Sequence, residues 1–253
     1  MRNLTALVLF IAIIFLFSSQ RFSIADPIFH EKAYPVGSGP FPAVITLHTS
    51  GGFKMAKALI ENFKSKTYVN LGYAVYSPDF FKKHRIKNAN RMDTFDKYRE
   101  DIERELIEII SLMKADPKID KKNIFAVGFS NGGFWASFLA GSASVNAGVS
   151  HYGVWKANKG RDRWNKYPMK YFSKTSKPIL ALHGSSDGTQ KLKFAVEAWK
   201  QIKSSSGKIE NHIYDGAGHA WDCKKCRKFN SWNEEVTKDS LQRTLVFFEK
   251  HTL

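Results

Sequence analysis

The chain has 253 residues, of which 43% are hydrophobic, 14% aromatic and 25% charged, with 17 Gly and 8 Pro; these proportions are those of a folded globular protein and exclude a disordered or low-complexity chain. The 39 Lys and Arg against 23 Asp and Glu give +16 at pH 7, which bears on surface potential and partners, not on fold. Two cysteines exclude a disulfide-dense scaffold and a four-thiolate metal site.

At the N-terminus, Arg2 precedes an apolar run over residues 4–17 broken only by Thr5, and Ser23-Ile24-Ala25 follows. A bilayer-spanning helix needs about 20 apolar residues, so this shorter run with small residues behind it reads as a signal peptide cleaved before Asp26. An uncleaved anchor or a buried helix is the alternative. The expectation is a signal over residues 1–25, one exported domain over 26–253, periplasmic or secreted, and no membrane span after cleavage.

Beyond the signal, short apolar runs alternate with amphipathic stretches, the pattern of βαβ units. Strands are expected at 43–48 (AVITLH), 73–77 (YAVYS), 124–128 (IFAVG), 147–151 (AGVSH), 178–183 (PILALH) and 209–214 (IENHIY). The first five are apolar enough to be covered on both faces, so the fold class is α/β, a mostly parallel central sheet with helices on both faces. One helix begins near Asp93-Thr94 with Tyr98, Ile102, Leu106, Ile109 and Met113 on its apolar stripe and Arg99, Glu100, Glu103, Arg104 and Glu108 facing water, and it ends at Pro117. A closing helix presents Leu241, Leu245 and Phe248 to the sheet. Right-handed crossovers bring every loop after a strand to the carboxyl edge, where open α/β sheets bind ligands.

The third of these strands runs directly into Gly128-Phe129-Ser130-Asn131-Gly132, and a helix-like segment follows. This is a Gly-x-Ser-x-Gly elbow in the context it requires: a turn so sharp that glycine is needed on both sides of the serine, leaving Oγ exposed and the Asn131 amide aimed at a developing oxyanion. A serine nucleophile needs a base and an orienting acid, which in this arrangement follow as acid and then histidine on later post-strand loops. Asp187 follows PILALH, and His219 follows IENHIY between glycines. Asp215 competes for the acid role but shares the loop of His219. The other seven histidines, at 30, 48, 84, 151, 183, 212 and 251, read as structural or solvated. The second oxyanion amide is expected from the loop after AVITLH, at Thr49 with Ser50 next.

Residues 41–251 resemble the dienelactone hydrolase family of α/β hydrolases. The resemblance is carried by 76–81 (YSPDFF), 114–117 (KADP), 124–133 (IFAVGFSNGG), 150–153 (SHYG), 177–184 (KPILALHG) and 214–221 (YDGAGHAW). It implies the α/β-hydrolase fold and a catalytic set of Ser130, Asp187 and His219. The namesake enzymes use cysteine where Ser130 stands, and His48 replaces the glutamate they carry after the first core strand. The implied activity is therefore that of a general serine esterase or lactonase. A peptidase or sugar-ester deacylase on the same residues is the rival enzyme. A basic module binding anionic polymers is the non-catalytic rival.

Cys223-Lys224-Lys225-Cys226 lacks the further ligands of a zinc site and the context of a redox motif, so a local disulfide is expected. No phosphate loop, dinucleotide fingerprint or HExxH occurs, and no cofactor, metal or nucleic-acid partner is expected. Phe53, Phe129, Tyr152, Trp155 and Trp221 are candidate substrate contacts; with Trp164, Tyr167, Tyr171 and Phe172 the aromatic stretch after SHYG reads first as a lid packing on itself and second as aromatic subsites. Three post-strand loops, 78–95, 153–178 and 220–229, hold 17 of the 39 basic residues with only 4 acids. The charge is thus concentrated where the ligand edge should be; either long solvated loops simply gather it, or it forms a positive funnel suiting a small anionic ester or lactone.

Overall fold

The computed structural model describes residues 28–156, 167–226 and 231–253. The expected signal segment, together with Trp164 and the basic residues of 157–166 and 227–230, lies outside the described residues. The chain order is β1 (His30–Ala33), β2 (Phe41–Leu47), α1 (Phe53–Leu59), α2 (Ser65–Val69), β3 (Ala74–Pro78), α3 (Arg99–Ala115), β4 (Ile119–Phe129) and α4 (Asn131–Gly141). It continues with β5 (Ala147–His151), β6 (Ile179–Gly184), α5 (Leu192–Ser204), β7 (Ile209–Tyr214) and α6 (Glu234–Lys250). Short 3-10 turns lie at Glu61–Phe63, Asn88–Phe95 and Pro168–Tyr171.

The strands form one seven-stranded sheet in the order β1, β3, β2, β4, β5, β6, β7. All neighbours are parallel except β1, which pairs antiparallel with β3. Successive side chains of a strand point to opposite faces, and the core divides accordingly. Ile45, Tyr76 and Ala126 pack under α3 and α4. Val44, Val75, Val127 and Val149 pack with Phe53 of α1, Tyr68 of α2 and Phe248 of α6. Every residue of α4 is buried, consistent with a segment that is apolar on all sides.

β1 has no counterpart among the expected strands, because the short polar sequence HEKA carries no apolar alternation. The helix expected from Asp93 starts at Arg99, since 88–95 is a 3-10 turn whose Asp93 carbonyl accepts from the Tyr98 amide at 2.9 Å. Its polar face is also drier than expected. Arg99 is buried against Glu100 and Glu103, and Glu103 accepts a 2.6 Å bond from Tyr171 Oη. Glu105, likewise buried, pairs with Lys83 and His84 at 3.0 Å each. On α6 the buried seam is Thr237, Ser240, Thr244, Phe247 and Phe248, with Leu241 only partly covered.

From β2 the chain crosses outward to β3 and then returns to β4 on the other side, so the strand order reverses between β2 and β4. Leu47 lies beside Gly128, and Phe129 beside His151. The crevice at the carboxyl ends of these strands is the place where such sheets bind ligands.

Candidate active site

Ser130 sits between β4 and α4 with φ 53° and ψ −108°. A non-glycine residue holds such a backbone only when its surroundings impose it. The surroundings are tight: a Cβ on Gly132 would lie 2.0 Å from the Leu47 carbonyl oxygen. The Ser130 amide donates to the His151 carbonyl at 3.0 Å and the Ser130 carbonyl accepts from Val154, fastening the elbow to the end of β5. Ser130, Tyr152 (φ 39°) and Ala220 (φ 59°), three of the six described non-glycine residues with positive φ, border one cavity.

His219 Nε2 lies 2.9 Å from Ser130 Oγ, and its Nδ1 lies 2.7 Å from Asp187 Oδ2. An ionised carboxylate only accepts, so Nδ1 carries the proton and Nε2 presents its lone pair to Ser130 Oγ. The other oxygen, Asp187 Oδ1, accepts from the Thr189 and Gln190 amides at 2.8 Å each. Burial alone would raise the Asp187 carboxyl, but the hydrogen bond and charge of His219, with the Gln190 amide, hold it below the ordinary carboxylate value. Asp215 is turned away, accepting from Ser185 Oγ at 3.0 Å.

Three other buried histidines, His151, His183 and His48, serve the frame. Burial drives His151 down to about 3, keeping it neutral beside Thr244 Oγ1 at 2.9 Å. Burial also lowers His183, whose Nε2 contacts the Gln190 carbonyl at 2.7 Å. His48 stacks on Phe80 with ring centroids 3.8 Å apart, and its Nδ1 lies 2.9 Å from the Thr49 carbonyl, behind the loop that borders Ser130.

The cavity over Ser130 encloses about 370 Å³. Thr49, Ser50 and Gly51 from the loop after β2 line it, with Tyr152, His219, Met55, Ile60, Thr189, Asn88 and Arg91. Asn131 opens α4, whose first amides have no partner within the helix; its side-chain Oδ1 points inward and accepts from Trp135 Nε1 at 3.2 Å. Of the expected substrate contacts, Tyr152 borders this cavity, whereas Phe53 lines a neighbouring groove. Phe129, Trp155 and Trp221 are corrected to core residues, no more than 1% exposed. Trp155 packs edge-on against Trp199, Trp221 donates to Ser240 Oγ, and Phe129 packs against Phe63 and His151. Met55, Ile60, Asn88 and Thr189 were not singled out by sequence; they come from segments that only the folded sheet brings together.

Cys223 and Cys226 form a disulfide in the loop that carries His219, and Cys226 borders the cavity. Next to them lies a buried polar pair. Tyr152 Oη donates to Asp222 Oδ1 at 2.6 Å, while the Tyr152 ring stands edge-to-face with His219, centroids 4.9 Å apart.

The sheet order and the crevice over its reversal define an α/β hydrolase. The chain belongs to the dienelactone hydrolase family, whose family model matches residues 31–252, and it is a hydrolase of that family. Among curated proteins it is 23% identical over 194 residues to a "Probable 2-oxo-3-(5-oxofuran-2-ylidene)propanoate lactonase" of Bradyrhizobium sp, covering 75% of this chain and 77% of that protein. It is 24% identical to the "Uncharacterized peptidase YuxL" of Bacillus subtilis (strain 168), over 72% of this chain but only 31% of that protein's length. A provisionally assigned dienelactone hydrolase from Klebsiella pneumoniae superposes with a TM-score of 0.72 at 20% identity, covering 87% of this chain and 92% of that one.

Proposed function

We propose that the chain hydrolyses carboxylic esters or lactones through an acyl-enzyme on Ser130. The observation that carries this reading is the continuous line from Ser130 Oγ through His219 to Asp187, at 2.9 and 2.7 Å. Ser130 Oγ bonds to the acyl carbon as His219 Nε2 takes its proton, and the amides of Asn131 and Thr49 receive the oxyanion. When the intermediate collapses, the bond to the alkoxy oxygen breaks and His219 returns the proton to it. Water then adds to the acyl carbon as His219 takes its proton, the bond from the acyl carbon to Ser130 Oγ breaks, His219 returns the proton to Oγ and the acid leaves. Asp187 stays ionised throughout and holds the imidazolium. The lactonase named among the relatives supports extending the reading to cyclic esters.

Two finer features belong to the same proposal. Arg91 on the wall of the Ser130 cavity and the basic post-strand loops support a preference for anionic substrates. The apolar run over 4–17 supports export; no helix among the described residues is long and apolar enough to cross a membrane.

Labelling with a serine-directed fluorophosphonate tests the core of the reading. The expected result is one adduct on Ser130, absent from Ser130→Ala protein, together with hydrolysis of simple esters. Folded protein that neither labels nor hydrolyses any member of an ester panel overturns it.

A further inference from the structure

Beside the Ser130 cavity lies a larger groove of about 970 Å³. The two share Ser50, Gly51 and Asn88 in their walls, so they lie directly beside each other. The floor of the groove is apolar, made by Phe53, Phe81 and Ile86, with Phe29 at its rim 43% exposed. Its edge is cationic. Of its basic residues, Lys57 is engaged by both carboxylate oxygens of Glu31, and Lys82 stands 4.0 Å over the Phe29 ring. Lys54, Arg85 and Lys87 are exposed and have no ion-pair partner among the described residues. The acids on the groove are already committed: Glu31 to Lys57, and Asp79 to the amides of Phe81 and Lys82 with His48 3.6 Å away. An apolar floor with uncommitted cations on the α1 and post-β3 segments that line it matches an apolar chain or ring that ends in an anion.

We propose that this groove is a subsite for the extended, carboxylate-terminated arm of an ester whose carbonyl is held at Ser130. The proposal rests on the esterase reading above and adds the substrate class: esters with one long arm bearing an acid at its far end. It differs from general attraction by a positive surface because it is local and depends on arm length.

The experiment uses two ester series, one with the carboxylate on the acyl arm and one with it on the alcohol arm. Each runs from a two-carbon to a ten-carbon spacer, and each member has a methyl-capped neutral twin. In one series at least, the ratio of kcat/KM for anionic over neutral twin should rise with spacer length. In Lys54→Gln/Arg85→Asn/Lys87→Gln protein that rise should fall by roughly tenfold, as expected for three exposed charge contacts together. Asparagine is chosen at 85 because Arg85 has φ 52° and Asn tolerates that conformation. A control, Lys114→Gln/Lys121→Gln/Lys122→Gln, removes the same charge from exposed sites near the amino end of β4 and should leave the ratio as it was. A ratio that is flat with length in both series, or that falls equally in the two triple variants, overturns the subsite. Calorimetry with Ser130→Ala protein separates this failure from failure of the esterase reading. If the intact chain hydrolyses nothing and the Ser130→Ala protein still binds the long anionic ester more tightly than its neutral twin, the groove stands and the chemistry falls.

Discussion

Tyr152 donates its phenolic hydrogen to Oδ1 of Asp222 across 2.6 Å, with both side chains shielded from solvent, and no described atom bonds Asp222 Oδ2. Burial raises the Asp222 carboxyl to about 7; the Tyr152 hydrogen bond opposes the rise, and Glu61 adds to it. Tyr68, also buried, faces the same carboxyl. An unfolded Asp ionises near pH 4, so between about pH 4 and 7 the folded chain holds a proton that the unfolded chain has released. The contribution of the pair to stability is therefore complete below about pH 4, declines up to about 7 and is absent above it. At about 1.4 kcal/mol per pKa unit the decline is on the order of 4 kcal/mol. Asp222→Asn keeps an acceptor for Tyr152 and removes the ionisation. Urea unfolding should find that variant more stable than the parent at pH 8, with the gap closing toward pH 4. Parallel stability curves across this range would show that Asp222 titrates as an ordinary carboxylate.

The choice between Asp187 and Asp215 is sharp in the geometry. Under the proposed mechanism, in which the three act as a unit, Asp187→Asn removes the charge beside His219 and should cut esterase kcat by orders of magnitude, as should Ser130→Ala and His219→Ala. Asp215→Asn disturbs an exposed bond from Ser185 and should leave kcat within about threefold of the parent, as expected for surface changes away from the machinery. Steady-state kinetics on a short neutral ester decides it, and an Asp215→Asn defect equal to that of Asp187→Asn would reassign the acid.

That Ser130, Asp187 and His219 come together could be read from sequence because each position carries a local signature: glycines at a strand-to-helix turn, or a polar residue just past an apolar run. The parallel strands were legible for the same reason. The aromatic residues were not. Phe129 flanks Ser130 in sequence, yet strand alternation turns it into the core, and Trp221, two residues past His219, folds back onto Ser240 of α6. A loop sequence does not disclose which way its rings point. Arg99 and Glu103 lie on the polar side of a helical pattern and are nevertheless covered, because Tyr171, far along the chain, lands on them. That burial depends on long-range packing, as does the presence of Asn88, Arg91 and Thr189 around one cavity.

Gly132 marks the point where α4 is pressed against the end of β2. An added Cβ would meet the Leu47 carbonyl oxygen at 2.0 Å, its carbon at 2.4 Å and the His48 carbonyl oxygen at 2.8 Å, all backbone atoms that cannot swing aside. Gly132→Ala should therefore lower stability by at least about 3 kcal/mol, the upper part of the range for overpacking, or prevent folding. Gly188→Ala, which meets nothing within 4 Å, should unfold at a denaturant midpoint close to that of the parent. Equal midpoints for the two variants would mean that α4 has room to move away from β2, and with it the elbow.

The last prediction concerns the range over which charge acts. Arg91 stands on the wall of the Ser130 cavity, its guanidinium tied to the Asn88 carbonyl at 2.9 Å, and Lys82, Arg85 and Lys87 of the same post-strand loop line the neighbouring groove. A field summed over many loop charges reaches beyond contact and accelerates encounter with an anionic ester, by tenfold or more at low salt. Its reach is the Debye length, about 30 Å at 0.01 M and about 3 Å at 1 M. For a short anionic ester, kcat/KM should thus fall steeply as salt rises toward about 0.5 M, while kcat, measured at saturation, changes little because encounter no longer limits the rate. A neutral isostere should respond weakly in both parameters. Arg91→Gln should lower kcat/KM for the anionic ester at every salt concentration yet keep most of the salt slope, since one contact is lost and the loop field remains. Stopped-flow and steady-state rates over a salt series separate the two contributions. Equal slopes for the charged and neutral esters would show that the excess charge does not take part in substrate capture.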